Sequence, residues 1–137
     1  AMDRAETALT ESPAEDRPLS PWPALYRRGL ARHRGGVATS LGLPEMARSA
    51  LQQGLEGPAR PLYRACALCD LAASHIQLGE VEEACRLAGE AFEVGVAMGS
   101  HRAVRHVRKV REQMEPQKAT RAVRELDERL LANLLPA

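Results

Sequence analysis

The chain has 137 residues, 45% hydrophobic and 27% charged, which fits one folded domain and is too short for two of ordinary size. Lys and Arg total 19 and Asp and Glu total 18, so the net charge does not indicate a nucleic acid or an anionic membrane as partner. The sequence has no apolar run long enough to span a membrane, so we expect no membrane contact. It has no basic-then-apolar leader, and its three cysteines do not make a disulfide framework, so we expect a cytoplasmic protein.

The first 23 residues are predicted to lie outside the main fold. Residues 1–10 have helical spacing but are too short to form a stable helix alone. Residues 11–23 contain four prolines among Glu, Asp and Ser, which predicts an irregular linker. The main domain is therefore predicted to span residues 24–135.

Six stretches with helical spacing follow, and stop signals group them into three hairpins. Pro44 and Pro61 stand where first-turn prolines belong, while Gly57, Gly79 and Gly99 stand where helices end. The predicted hairpins are 24–57, 61–98 and 101–135.

One signal occurs twice, 37 residues apart. Leu41-Gly42-x-x-Glu45-x-Ala47 returns as Leu78-Gly79-x-x-Glu82-x-Ala84, each time between two helical stretches. A duplicated helix-turn-helix of this length, with small residues where helices approach, is typical of an α-solenoid. The sequence therefore predicts an all-α fold, a right-handed α-solenoid of antiparallel helix hairpins with about six helices. The small residues expected at the close approaches are Gly35, Ala47, Ala72 and Ala84.

The small-residue positions resemble the tetratricopeptide repeat consensus. In the second hairpin Ala72, Gly79, Ala84, Ala88 and Ala91 fall at the consensus spacing, and the first hairpin shows the same pattern at Gly35, Gly42 and Ala47. The large aromatic positions are instead Ala31 and Leu68, and Ala38 and His75 replace the usual tyrosine. The repeats are thus degenerate.

A closer resemblance is to the carboxy-terminal repeat region of actinobacterial helix-turn-helix transcriptional regulators of the Xre type. It is carried by residues 64–75, 79–88 and 122–130 and spans residues 24–132. It implies a non-catalytic domain for protein or peptide interaction and for regulation, sensory or oligomerising, that follows a DNA-binding domain. Residues 1–10 would then be the remnant of a preceding repeat helix. The alternative is a free-standing scaffold or adaptor without a DNA-binding half.

The same resemblance implies a binding groove, because the first helix of each tetratricopeptide hairpin lines the concave face. The residues expected to share that face are Arg32, Gly36, Thr39, Cys66, Cys69, Ala73 and Ile76. A strip of small residues flanked by arginine suits a peptide or a partner helix. The alternative is that the amino-terminal linker or the last helix covers it.

The fifth stretch carries a basic face, formed by Arg102, Arg105, Arg108, Lys109 and Arg111. Such a face binds phosphate or an acidic partner when it is free. Acidic residues on the stretches before and after it are expected to screen it, and no aromatic residue interleaves it for stacking on bases. We therefore expect no direct nucleic-acid contact.

No catalytic, metal or cofactor site is predicted. Cys66, Cys69, His75 and Cys85 form the one metal-like set, but two cysteines within a helix are unlike the loop ligands of structural zinc sites, and cysteine is a common buried residue. The histidines have no nucleophile in a recognisable turn, and no phosphate loop is present.

The sequence leaves the oligomeric state open. A homodimer could form through Leu131, Leu134 and Leu135 near the carboxyl end.

Overall fold

The described part of the chain is all helical. The computed structural model describes residues 22–57 and 59–133, with the backbone alone for residues 22–26. Within these ranges the chain forms six α-helices, a 3-10 turn and no strand. The helices are α1 (Trp22–Ser40), α2 (Pro44–Gly54), α3 (Pro61–Gln77), α4 (Val81–Ala97), α5 (His101–Glu112) and α6 (Arg121–Ala132), and the 3-10 turn is Glu115–Gln117. The predicted all-α class with about six helices is confirmed.

The helix starts follow their local sequence signals. Pro44 and Pro61 occupy the first turns of α2 and α3, where a missing N–H costs nothing. The hydroxyls of Ser100 and Thr120 cap α5 and α6, accepting hydrogen bonds from the backbone three residues on at 3.1 and 3.4 Å.

The first helix starts two residues before the predicted start of the main domain at residue 24, inside the predicted linker of residues 11–23. Helix α1 begins at Trp22, because a first turn tolerates a proline such as Pro23. Residues 1–10, and the linker up to residue 21, lie outside the described residues.

Three helices end in the same backbone turn. Gly42, Gly79 and Gly99 have φ of 71°, 79° and 61°, a region that L side chains rarely adopt. The N–H of the next residue bonds to the carbonyl five residues back, at 2.9, 2.8 and 2.8 Å respectively. This is the Schellman motif, so the repeated Leu-Gly signal is the sequence of a helix stop.

Small residues occupy the close contacts between helices, as predicted. Ala47, Ala72 and Ala84 are fully buried. A Cβ added to Gly35 would lie 2.6 Å from Leu51 Cδ2. Backbones can therefore approach at these points in a way that larger side chains would prevent.

Each helix packs against its neighbour in sequence for most of the chain, and several also pack against the next but one. Helix α3 contacts α1, α2, α4 and α5, and α4 contacts α3, α5 and α6. Helices α1, α3 and α5 thus lie side by side in that order, and α6 packs against α4. No helix within the described ranges combines the length and the apolarity that crossing a bilayer requires.

Candidate functional site

Four arginines surround one exposed tyrosine where three helices meet. Arg28 and Arg32 lie one turn apart on α1, and therefore on one face of it. Arg60 directly precedes α3, Tyr63 lies in its first turn, and Arg102 is the second residue of α5. We call these five residues the arginine–tyrosine surface.

Two clefts of about 420 Å³ each open on this surface. Both are lined by Arg32, Arg60 and Tyr63. The first cleft adds Arg28 with apolar atoms of Leu55 and Ala67, and the second adds Arg102 with those of Leu62 and Met98. Of the residues that the structure describes, none lining either cleft is acidic, so both clefts are cationic and partly apolar.

The tyrosine and one arginine are already in contact. The guanidinium carbon of Arg32 lies 4.8 Å from the centroid of the Tyr63 ring, within the range of a cation–π interaction. Tyr63 is nevertheless 51% exposed. Tyr and Arg are both enriched in protein interfaces relative to the rest of the surface.

The four arginines of this surface have no acidic partner among the described residues. Arg64, on the edge of the first cleft, donates to Glu90 Oε1 at 3.1 Å. Arg28, Arg32, Arg60 and Arg102, by contrast, form no ion pair with any other described residue. Their charges are therefore available to a ligand.

The predicted groove residues are only partly at this surface. Arg32 and Cys66 line the second cleft. Gly36 and Thr39 lie at the contact of α1 with α3, where Thr39 Oγ1 lies 3.4 Å from the carbonyl oxygen of Asp70 and Gln77 Nε2 donates to the Thr39 carbonyl at 3.1 Å.

The remaining groove residues offer little contact area. Cys69 and Ala73 are 0% and 4% exposed, because α1 and α5 both pack against α3. Ile76 is half-buried and packs against the core. Arg32 and Cys66 are therefore the predicted groove residues that line these two larger clefts.

One carboxylate lies beside the cationic surface. Asp70 lines a smaller cleft of about 300 Å³ with Arg32, His33 and Gly36. Its Oδ1 atom is 3.4 Å from His106 Nε2 on α5, and both side chains are half-buried. Negative charge therefore bounds the surface on the side toward the carboxyl end of α1.

The predicted basic face is divided in two. Arg111 bonds to both carboxylate oxygens of Asp127 and, at 3.0 Å, to Glu115, and these hydrogen bonds raise its pKa. Its side chain is 16% exposed and ties α5 to α6, so Arg111 is a structural residue. Arg102, Arg105, Arg108 and Lys109 have no ion pair with any other residue in the described ranges.

The expected screening acts on Arg111 alone. Glu83 and Glu90 on α4 pair with Arg86, which lies on the same helix, and Glu93 pairs with Arg129 on α6. Glu125 pairs with Arg121 within α6. These acidic side chains thus pair with arginines on α3, α4 and α6, and the rest of the basic face has no acidic partner among the described residues.

Three members of the metal-like set, Cys69, His75 and Cys85, lie in the core, whereas Cys66 lines the second cleft. Cys69 is fully buried, Cys85 Sγ lies 3.6 Å from Met114 Sδ, and His75 Nδ1 lies 3.3 Å from Glu80 Oε2. Burial raises the pKa of both the Cys69 and the Cys85 thiols. Within the described ranges, no three His, Cys, Asp or Glu side chains are grouped so that they hold a metal ion.

Sequence reasoning missed Arg28, Arg60 and Tyr63. One signal was available, since Arg28 and Arg32 are four residues apart and so share a helix face. The rest of the site needs the packing of α1, α3 and α5, which brings residues 28 and 102 to the same pair of clefts.

Comparison with known proteins identifies no relative. No protein-family model, no curated protein and no solved structure matches the chain. The resemblance to tetratricopeptide repeats and to Xre-type regulators stays a prediction.

Proposed function

We propose that this chain is a non-catalytic protein-interaction domain that binds a peptide or protein segment at the arginine–tyrosine surface. The observation that carries the proposal is the exposed Tyr63, which lines two clefts together with four arginines that have no acidic partner among the described residues. Tyr and Arg are the residue types enriched at the centres of protein interfaces. Clefts of a few hundred Å³ are of a size that holds a few side chains.

The proposed architecture is a right-handed α-solenoid of antiparallel hairpins, similar to tetratricopeptide repeats. Three features support it: the 37-residue recurrence of the Leu-Gly signal, the Schellman turn that ends α1, α3 and α4, and the serial packing of α1, α3 and α5. In such a stack the first helices present the binding face, and the arginine–tyrosine surface lies on those helices.

We further infer that the domain belongs to a cytoplasmic bacterial transcription regulator of the Xre type and has a sensory or oligomerising role. The support is the resemblance of residues 24–132 to that group. The alternative is a scaffold or adaptor protein without a DNA-binding half. The complete gene separates them, because an upstream helix-turn-helix supports the regulator and its absence supports the adaptor.

The decisive experiment is capture with a charge-matched control. The full chain, its Arg60→Glu variant and its Arg124→Glu variant are immobilised and exposed to lysate of the organism that carries the gene. Arg60 and Arg124 are both exposed and have no ion pair with another described residue, so both variants change the surface charge equally.

A protein retained by the wild type is then purified and titrated calorimetrically against all three chains. We expect the wild type and Arg124→Glu to bind alike, and Arg60→Glu to bind at least about tenfold more weakly. Equal binding by all three chains would place the interface elsewhere. Retention of no protein by the wild type would contradict the proposed function itself.

Self-association through α6 is a second candidate, favoured by the side chain of Leu131, which is 60% exposed. Leu134 and Leu135 lie outside the described residues. Light scattering on the purified chain tests it: a dimer that Leu131→Glu converts to a monomer supports the candidate, and a monomer at high concentration contradicts it.

A further inference from the structure

We propose that the arginine–tyrosine surface takes an acidic peptide segment, in which a carboxylate side chain is flanked by apolar side chains. The inference rests on the proposed function and adds the chemical class of the ligand. Its basis is charge: Arg28, Arg32, Arg60 and Arg102 form no ion pair with a described residue, and none of the described lining residues is acidic. A planar guanidinium binds a carboxylate with two parallel hydrogen bonds.

The arrangement of the two clefts sets the expected spacing. Arg32, Arg60 and Tyr63 are common to both clefts and form their centre, so the carboxylate belongs there. Apolar atoms lie on either side, from Leu55 in one cleft and Met98 in the other. An acidic residue with an apolar residue two positions before and two after would, in extended chain, place all three side chains on one side of the peptide.

Two observations favour a peptide over a nucleic acid. The guanidinium of Arg32 is stacked on the Tyr63 ring, so that face of the ring is not free to stack on a base. Asp70, in the adjoining cleft, would repel a phosphate chain that continued from Arg32 along α1. A peptide can place an apolar or basic side chain at that point.

The test uses defined peptides and the full chain. The first is a fluorescently labelled peptide, Gly-Glu-Leu-Ala-Glu-Ala-Leu-Glu-Gly, and the second has each Glu replaced by Gln. Fluorescence anisotropy measures binding of both, and of a labelled single-stranded deoxythymidine oligomer of about 12 nucleotides, to the wild type. Arg60→Glu, Arg102→Glu and the control Arg124→Glu are titrated in parallel, after circular dichroism has checked their helicity.

We expect the Glu peptide to bind the wild type at least about tenfold more tightly than the Gln peptide, with the difference shrinking as salt rises. Arg60→Glu and Arg102→Glu should each lose most of this preference, because each replaces a cation of the clefts with an anion. Arg124→Glu should keep it, since residue 124 is on α6 and lines neither cleft.

Each other outcome overturns the inference. Equal binding of the Glu and Gln peptides would show that the surface does not recognise carboxylates. It would not contradict the proposed function in protein interaction. Absence of peptide binding, while a protein from lysate is still retained, would do the same. An oligonucleotide that binds more tightly than the Glu peptide, and loses affinity in Arg60→Glu, would assign the surface to nucleic acid instead.

Discussion

The three cysteines have different surroundings although two of them are one helical turn apart. Cys66 is half-buried and lines the second cleft, whereas Cys69 and Cys85 are buried. Burial raises the pKa of Cys69 and of Cys85, and the nearby Asp70 carboxylate adds to the effect at Cys69. A thiol reacts as its thiolate, so both burial and the raised pKa protect these two side chains.

Thiol titration of the native chain should therefore find one reactive cysteine. With Ellman's reagent at pH 8, we expect one equivalent to react at least about tenfold faster than the other two, which become reactive in denaturant. Cys66→Ser should abolish the fast phase. A fast phase that survives this substitution would contradict the burial of Cys69 and Cys85.

At the scale of the element, α1 carries glycines with opposite roles. Gly35 faces Leu51 of α2, which is fully buried and has no room to move aside. At Gly29 no heavy atom of the described residues, other than its chain neighbours and the backbone of its own helix, lies within 4 Å of where a Cβ would be. Packing therefore offsets the helix cost of a glycine at Gly35 but not at Gly29.

A pair of alanine substitutions tests this difference. Gly35→Ala should lower the free energy of unfolding by about 1–2 kcal/mol, because the overpacking exceeds the gain in helix propensity. Gly29→Ala should raise the free energy of unfolding by up to about 1 kcal/mol. Urea unfolding followed by circular dichroism measures both. Changes of the same sign would show that α1 and α2 are not packed as described.

The helices were predictable because their signals are local. Prolines in first turns, glycines at stops and hydroxyl caps lie within a few residues of the boundaries they set, and the predicted bounds differ from the observed ones by a few residues at most. The predicted first hairpin ran to residue 57, past the end of α2 at Gly54, since helical spacing continues into the turn.

The candidate site was less predictable because it depends on contacts between distant segments. Tyr63 alone reads as an ordinary apolar position, and its exposure follows from how α1 and α5 lie beside α3. Cys69 and Ala73 were placed on an open face for the same reason, since spacing gives the face of a helix but not what covers it. Likewise, the sequence places Arg111 in a series of basic residues, and only the packing of α6 shows that it pairs with Asp127.

At the scale of the whole molecule, a nearly neutral chain has an uneven distribution of charge. The net charge is +1. Among the described residues, however, ion pairs concentrate on α4 and α6 and at the α5–α6 turn, whereas the four arginines of the arginine–tyrosine surface form no ion pair. The nearly equal numbers of basic and acidic residues do not reveal this uneven distribution. Net charge is therefore a poor guide to the partner of this protein.

The paired carboxylates should make stability fall in acid. Hydrogen bonds from Arg86 and Arg111 hold the pKa of Glu83 and Glu115 below the ordinary value of 4.5. Because the folded-state pKa is the lower one, the unfolded chain binds more protons in acid. The contribution to stability is thus complete above about pH 4.5 and is lost as the pH falls through the lowered pKa values.

The variant Glu83→Gln/Glu115→Gln isolates this contribution. We expect it to be less stable than the wild type at pH 7, with the difference shrinking as the pH falls below about 4. Urea midpoints at several pH values measure the difference. A difference that stays constant over this range would mean that neither pair contributes in the way described.

The contact of Arg32 with Tyr63 also affects the entropic cost of binding a ligand in the clefts. Fixing a free arginine side chain costs up to about 2 kcal/mol in rotamer freedom. Stacking on the ring, at 4.8 Å, has already restricted Arg32 before any ligand arrives. The centre of the site is in this sense pre-organised. Binding of an anion there would need less ordering of Arg32, so a larger part of the contact free energy would appear as affinity.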